Sequence, residues 1–134
     1  LLLFISAMLF WVCLIGMERA LELLMRGQRL TGEEAVQWGL AGRSVPASEV
    51  LDAALEVARD IAVNAAPMVV AIHKRLVWKG MDMSLAELAA TESRALNYTM
   101  TKADAIEGGM AYFERRPPNW TGSISAEWPA WLED

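Results

Sequence analysis

Cysteine and histidine are almost missing from this chain, which has Cys13 and His73 as its single examples of each. One thiol excludes an internal disulfide framework and fits a reducing, cytoplasmic setting. The two residues lie far apart in sequence, so they give no metal-ligand spacing. Positive charge is also short: 12 Lys and Arg stand against 17 Asp and Glu, for a net charge of -5. That balance argues against a nucleic-acid backbone as the main partner. Gly108-Gly109 is not preceded by a strand and belongs to no phosphate-binding glycine pattern. No Gly-x-Ser-x-Gly elbow offers a serine nucleophile. Cys13 has no base nearby to activate it.

The rest describes one ordinary globular unit, since 134 residues that are 54% hydrophobic and 22% charged can bury a core. Leu1 to Gly16 stand apart as an apolar run without a charge, just short of the roughly 18 residues that raise suspicion of a membrane span. No basic flank or small-residue cleavage site marks it as a secretory signal. Two readings stay open: an upstream region that is truncated or misread, or a membrane-associated leader. A buried core helix is the weaker third, because the run is not amphipathic.

From Gly16 the pattern becomes helical. Met17, Ala20, Leu21 and Leu24 share a face of a helix that Gly27 ends. Thr31-Gly32-Glu33-Glu34 reads as a capping box opening a helix through Ala35 and Trp38 to Gly39. Leu40 to Pro46 suits a short extended segment. Ser48 or a neighbour then caps a helix reaching about Ala66, with Leu51, Ala54, Leu55, Ala58, Ile61 and Ala62 as its apolar stripe. Pro67 fits a first helical position, and Val69, Ile72 and Leu76 bury one side of a helix that Gly80 ends. Ser84-Leu85-Ala86-Glu87 is a second capping box, starting a helix through Leu88, Thr91, Ala95 and Tyr98. From Thr101 to Pro118 the spacing predicts one more helix, capped by Thr101, closed by Arg115 and Arg116, and stopped by the double proline. Ile106, Met110 and Phe113 make its docking face, with Gly109 allowing close approach of another backbone. Residues 119–134, with Trp120, Trp128 and Trp131, read as an irregular tail pinned by aromatic burial.

Chemistry-bearing residues are few. His73 has no evident carboxylate or nucleophile partner, so a packing or edge role outweighs general-base duty. Asp104 and Glu107 have the spacing of an acid and a base, yet first-turn acids are what a helix dipole favours. Glu33 and Glu34 are explained by capping. No catalytic residue and no metal ligand are assigned.

Two stretches together carry a resemblance. Gly16 to Leu40, running on to Val45-Pro46, and the terminal Asp104-Ala105-Ile106-Glu107-Gly108 followed by Ala111-Tyr112-Phe113-Glu114-Arg115-Arg116 are similar to the enoyl-CoA hydratase/isomerase (crotonase) superfamily after its active site. The match covers Gly16 to about Gly122. The resemblance implies a mainly α chain, the carboxy-terminal helical region of a crotonase-like α/β spiral: 1–16 an apolar leader outside the fold, 17–118 the helical region, 119–134 the Trp-rich tail. It implies a carboxy-terminal fragment of an enzyme of acyl-CoA thioesters, hydration of 2-trans-enoyl-CoA being the simplest parent reaction. The oxyanion hole and the two catalytic glutamates of that family would lie before Gly16, which leaves this chain inactive alone.

By position in the motif, the resemblance places Tyr112 and Arg115 beside the adenine and phosphate end of coenzyme A bound to a neighbouring subunit, as part of the substrate and not as a permanent cofactor. On the residues themselves, a packed aromatic and a solvated helix-end base remain the alternative. The resemblance also implies a trimer-based homo-oligomer, with a membrane reached only through Leu1 to Gly16. A reading of another class is a small, non-catalytic, membrane-anchored helical interaction protein.

Overall fold

The computed structural model describes residues 8–133, and side chains from residue 11 onward. Its elements are α1 (Met8–Arg26), α2 (Gly32–Trp38), α3 (Val50–Asn64), α4 (Pro67–Gly80), α5 (Leu85–Met100), α6 (Ala103–Glu114) and α7 (Ile124–Glu127), with single 3-10 turns at Ala47–Glu49 and Ala130–Leu132. The described residues contain no strand. Residues 40–46, expected as a short extended segment, are non-helical and form no strand, with Pro46 at φ -52 and ψ 145. Contacts divide the chain into two units, Leu1–Ala54 and Leu55–Asp134, the division falling within α3.

In the first unit α1 is broken at Gly16, whose φ of 80 and ψ of 164 lie outside the helical region. A left-handed φ of this kind is open to glycine at no steric cost, so the apolar run turns a corner there. Ile15, Ala20 and Leu23 form a small core, with Trp11, Val12, Leu30, Trp38 and Leu40 packed against it. The predicted face is therefore rotated: Ala20 is buried as expected, but Met17 and Leu21 are exposed and Leu23 takes their place. All four positions follow Gly16, so their mutual spacing is unchanged; what differs is the side of the helix that Leu30, Trp38 and Leu40 cover.

The Thr31 capping box is formed. Thr31 Oγ1 accepts from the Glu34 amide at 3.2 Å, and the Glu34 carboxylate accepts from the Thr31 amide at 2.8 Å. Gly39, at φ 82, ends α2 and lets Leu40 and Ala41 donate back to the Ala35 carbonyl at 2.8 and 3.2 Å.

The α3 helix departs furthest from expectation. Ser48 does not cap it. Pro46 instead leads into the Ala47–Glu49 turn, closed by the Glu49 amide on the Pro46 carbonyl at 2.8 Å, and that turn continues directly into α3. The expected stripe is left largely uncovered among the described residues: α3 has no buried residue, and Leu51 is 69% exposed.

The second unit has its core between α4 and α5. Met68, Ile72 and Leu76 meet Ala95 and Leu132, with Tyr98, Trp128 and Trp131 packed around them. Pro67 occupies the first turn of α4, and the Ser84 capping box opens α5, with the Glu87 amide on Ser84 Oγ at 3.3 Å and the Ser84 amide on Glu87 Oε2 at 2.9 Å. The tail is pinned as the tryptophans implied, though it is more regular than expected because α7 and a 3-10 turn order it. Leu132 is 1% exposed. Arg75 donates from Nε to the Leu132 carbonyl at 3.1 Å and from Nη2 to the Glu133 carbonyl at 2.6 Å. The Arg94 guanidinium lies 4.3 Å from the centre of the Trp131 ring.

Candidate functional site

The α6 helix starts without the predicted cap. Because α5 runs to Met100, Thr101 closes that helix, donating from Oγ1 to the Tyr98 carbonyl at 2.7 Å, and Lys102 takes the cap position without a side-chain bond. Lys102 Nζ lies 3.2 Å from the Glu127 carboxylate and 4.3 Å from the centre of the Tyr98 ring. The Tyr98 hydroxyl first, and then Glu127, holds its ammonium above the ordinary lysine pKa.

The face of α6 that packs is not the apolar one. Ile106 is 71% exposed, and Met110 and Phe113 are exposed with it. Asp104, Glu107, Gly108 and Ala111 turn toward the returning chain instead, because that chain brings backbone amides which need acceptors. Asp104, 6% exposed, accepts from the Thr121 amide at 2.9 Å and the Gly122 amide at 3.1 Å. A Cβ at Gly122 would stand 2.6 Å from Asp104 Oδ2, so this approach requires glycine. Gly108, not Gly109, receives the neighbour: a Cβ there would meet the Trp120 ring at 3.4 Å, while Gly109 faces open space. Trp120 is then fixed by its Nε1, which donates to the Val63 carbonyl at 2.9 Å.

Both arginines lie beyond the last turn, contrary to expectation. Arg115 is left-handed at φ 54 and ψ 42, and the Arg115 and Arg116 amides donate back to the Tyr112 and Ala111 carbonyls at 3.3 and 3.1 Å. This is a Schellman ending with arginine where glycine is usual. The left-handed conformation costs a side-chain-bearing residue on the order of 1 kcal/mol, so the surroundings must hold it. Arg116 supplies that hold. Its guanidinium donates to the two Glu107 oxygens at 2.5 and 2.9 Å, to Glu114 at 2.6 Å and to the Pro117 carbonyl at 3.2 Å. Glu107 also accepts from the Asn119 amide at 2.6 Å. Arg116 first, and then Asn119, lowers the Glu107 pKa to about 2.

The two positions expected to bind coenzyme A sit at this same end. Tyr112 is 81% exposed, stacked edge-on with Phe113 at 6.0 Å between ring centres. Arg115 is exposed, and its guanidinium makes no hydrogen bond or ion pair among the described residues. Elsewhere, a groove of about 1050 Å³ runs along α4, α5 and α6, lined by Met68, Ile72 and Leu76 and by the polar groups of Lys102 and Glu127. Tyr112 and Arg115 do not line it. His73 does, as an exposed residue. Among the described residues no group of acids, histidine and cysteine could hold a metal ion. Nor is any described helix long and apolar enough to cross a membrane.

Residues 5–123 match the family model described as Enoyl-CoA hydratase/isomerase. The chain belongs to that family. The matched span begins inside the apolar run, and the helices are those of the helical region of a crotonase fold. A carnitinyl-CoA dehydratase of Proteus mirabilis is 39% identical over 105 residues, covering 75% of this chain and 40% of that protein. A probable enoyl-CoA hydratase/isomerase of Mycobacterium abscessus superposes with a TM-score of 0.81 at 44% identity, over 84% of this chain and 44% of that one. The enoyl-CoA hydratase of Mycobacterium tuberculosis H37Rv also gives 0.81, at 31% identity over 88% of this chain and 46% of that one. This crotonase-family chain thus spans about two-fifths of the length of the curated relatives it matches.

Sequence reasoning missed the work done by Glu107, Arg116 and Asp104. Only Gly122 hinted at it, since a glycine between Trp120 and the final tryptophans is a place where a backbone can approach closely.

Proposed function

We propose that this chain is the carboxy-terminal helical part of a cytoplasmic enzyme of acyl-CoA thioesters, with Tyr112 and Arg115 facing the adenine and phosphate end of coenzyme A. The parent reaction is reversible addition of water across a 2-trans-enoyl-CoA. The names of its relatives, a dehydratase and hydratases of CoA esters, are consistent with that chemistry. The observation that carries the reading is the presence, three positions apart at the end of a family helix, of an exposed tyrosine and a guanidinium that has no protein partner among the described residues. An aromatic ring suits an adenine face, and a free guanidinium suits a phosphate.

In such chemistry two backbone amides stabilise the thioester enolate while carboxylates move water's proton. This chain's part is binding. Its best-placed carboxylates, Asp104 and Glu107, are already occupied by amides and by Arg116. The uncovered faces of α3 and α6 are where the remainder of the enzyme and the neighbouring subunits of a homotrimer pack.

Titration calorimetry of the full chain with coenzyme A tests the assignment. Arg115→Ala should weaken binding about tenfold, equal to ~1.4 kcal/mol, with no change in helical content. Unchanged affinity in Arg115→Ala, or no saturable binding by the unaltered chain, would overturn it.

A further inference from the structure

Adjacent arginines are usually counted as one patch of charge. Here the two have separate tasks. Arg116 is consumed: Glu107 takes two of its nitrogens, Glu114 a third donor, and the Pro117 carbonyl shares one of them. Arg115, one residue earlier, has no such partner among the described residues; its backbone amide donates to the Tyr112 carbonyl, and it is held in a conformation that only a minority of side-chain-bearing residues adopt.

A Schellman ending commonly carries an apolar contact from the residue after the left-handed one back to the helix. In this chain that contact is replaced by an ion pair reaching nine residues back, from Arg116 to Glu107. The same carboxylate also fastens the Asn119 amide, so it binds the chain on both sides of Pro117-Pro118.

We propose that Glu107 is the positioning residue of this helix end: by engaging Arg116 and Asn119 it fixes the left-handed turn at Arg115, whose guanidinium is left without a protein partner among the described residues, three positions after Tyr112. The identity of what Arg115 meets rests on the coenzyme A reading given above. The hold of Glu107 does not depend on that reading.

Phenylglyoxal modification of the full chain, with the labelled arginine located by fragmentation mass spectrometry, tests both parts. In the unaltered chain Arg115 should label about tenfold faster than Arg116, and coenzyme A should protect Arg115. In Glu107→Gln, Arg116 should rise to the rate of Arg115, and coenzyme A protection of Arg115 should fall about threefold, while circular dichroism keeps the same helicity. If Glu107→Gln loses helicity, Arg116→Gln breaks the tie from its other end and should reduce the protection of Arg115 in the same way. Equal labelling of the two arginines in the unaltered chain, or rates and protection unmoved in the variants, overturns the proposal. A missing effect of coenzyme A on the unaltered chain, with the labelling contrast present and abolished by Glu107→Gln, removes the coenzyme reading while upholding the role of Glu107.

Discussion

Asp104 and Glu107 lie one helical turn apart, and each holds a different stretch of the returning chain. The depressed pKa of Glu107, about 2 through Arg116 and Asn119, has a defined consequence in acid. A carboxylate lowered in the folded state stabilises the fold fully above its unfolded value, and this contribution is lost as pH falls through the folded one. The thermal midpoint should therefore drop between about pH 4.5 and pH 2. Glu34 and Glu87, lowered by their bonds to Thr31 and Ser84, act in the same direction. In Glu107→Gln the decline over that window should be shallower, as scanning calorimetry at stepped pH would show; an identical slope would mean that the Arg116 tie does not persist in solution. The acids of α6 were legible in the sequence as companions of a helix dipole and as members of the family motif, but not as the anchors of the returning chain. Their partners, Arg116, Asn119, Thr121 and Gly122, lie beyond the helix, and no local spacing announces a pairing across a turn. Arg115 and Tyr112 were legible as a pair through the family motif, whereas the different fate of Arg116 needed the geometry.

Local signals fared best among the elements. Each capping box is a four-residue device whose donors and acceptors are all in the motif, so Thr31-Glu34 and Ser84-Glu87 could be read directly and formed as read. Ser84→Ala should cost about 1 kcal/mol, visible as a lower urea midpoint with an unchanged slope. No change would mean that α5 is held by its packing on α4 alone. Pro67 and Gly39 were legible for the same reason. Faces were harder. Periodicity says that a stripe exists, but not what covers it, and on α3 and α6 the apolar stripes face outward while a polar stripe of α6 packs. Thr101 and Ser48 failed as caps because neighbouring elements, the last turn of α5 and the turn at Ala47–Glu49, had already taken the chain through those positions.

For the molecule as a whole, much apolar surface is left bare: Leu51, Leu55 and Ile61 on α3 are exposed, and so are Ile106, Met110 and Phe113 on α6. Large exposed apolar areas commonly mark surfaces of association. The isolated chain should self-associate in sedimentation velocity, and Leu51→Gln, Leu55→Gln and Ile61→Gln together should shift it toward monomer without loss of helicity. A monodisperse monomer of the unaltered chain would count against these faces as contact surfaces.

The tie between Arg75 and the carbonyl of Leu132 has a further consequence, in time instead of space. The two residues are 57 positions apart. At a synthesis rate of about 5–20 residues per second, roughly 3 to 11 s separate their addition to the chain. For that interval Met68, Ile72 and Leu76 exist without the leucine and tryptophans that close over them in the folded chain. A nascent chain of this sequence therefore shows a chaperone or a protease a sticky α4 for seconds in every round of translation, and how many copies reach the folded state depends on what meets it then.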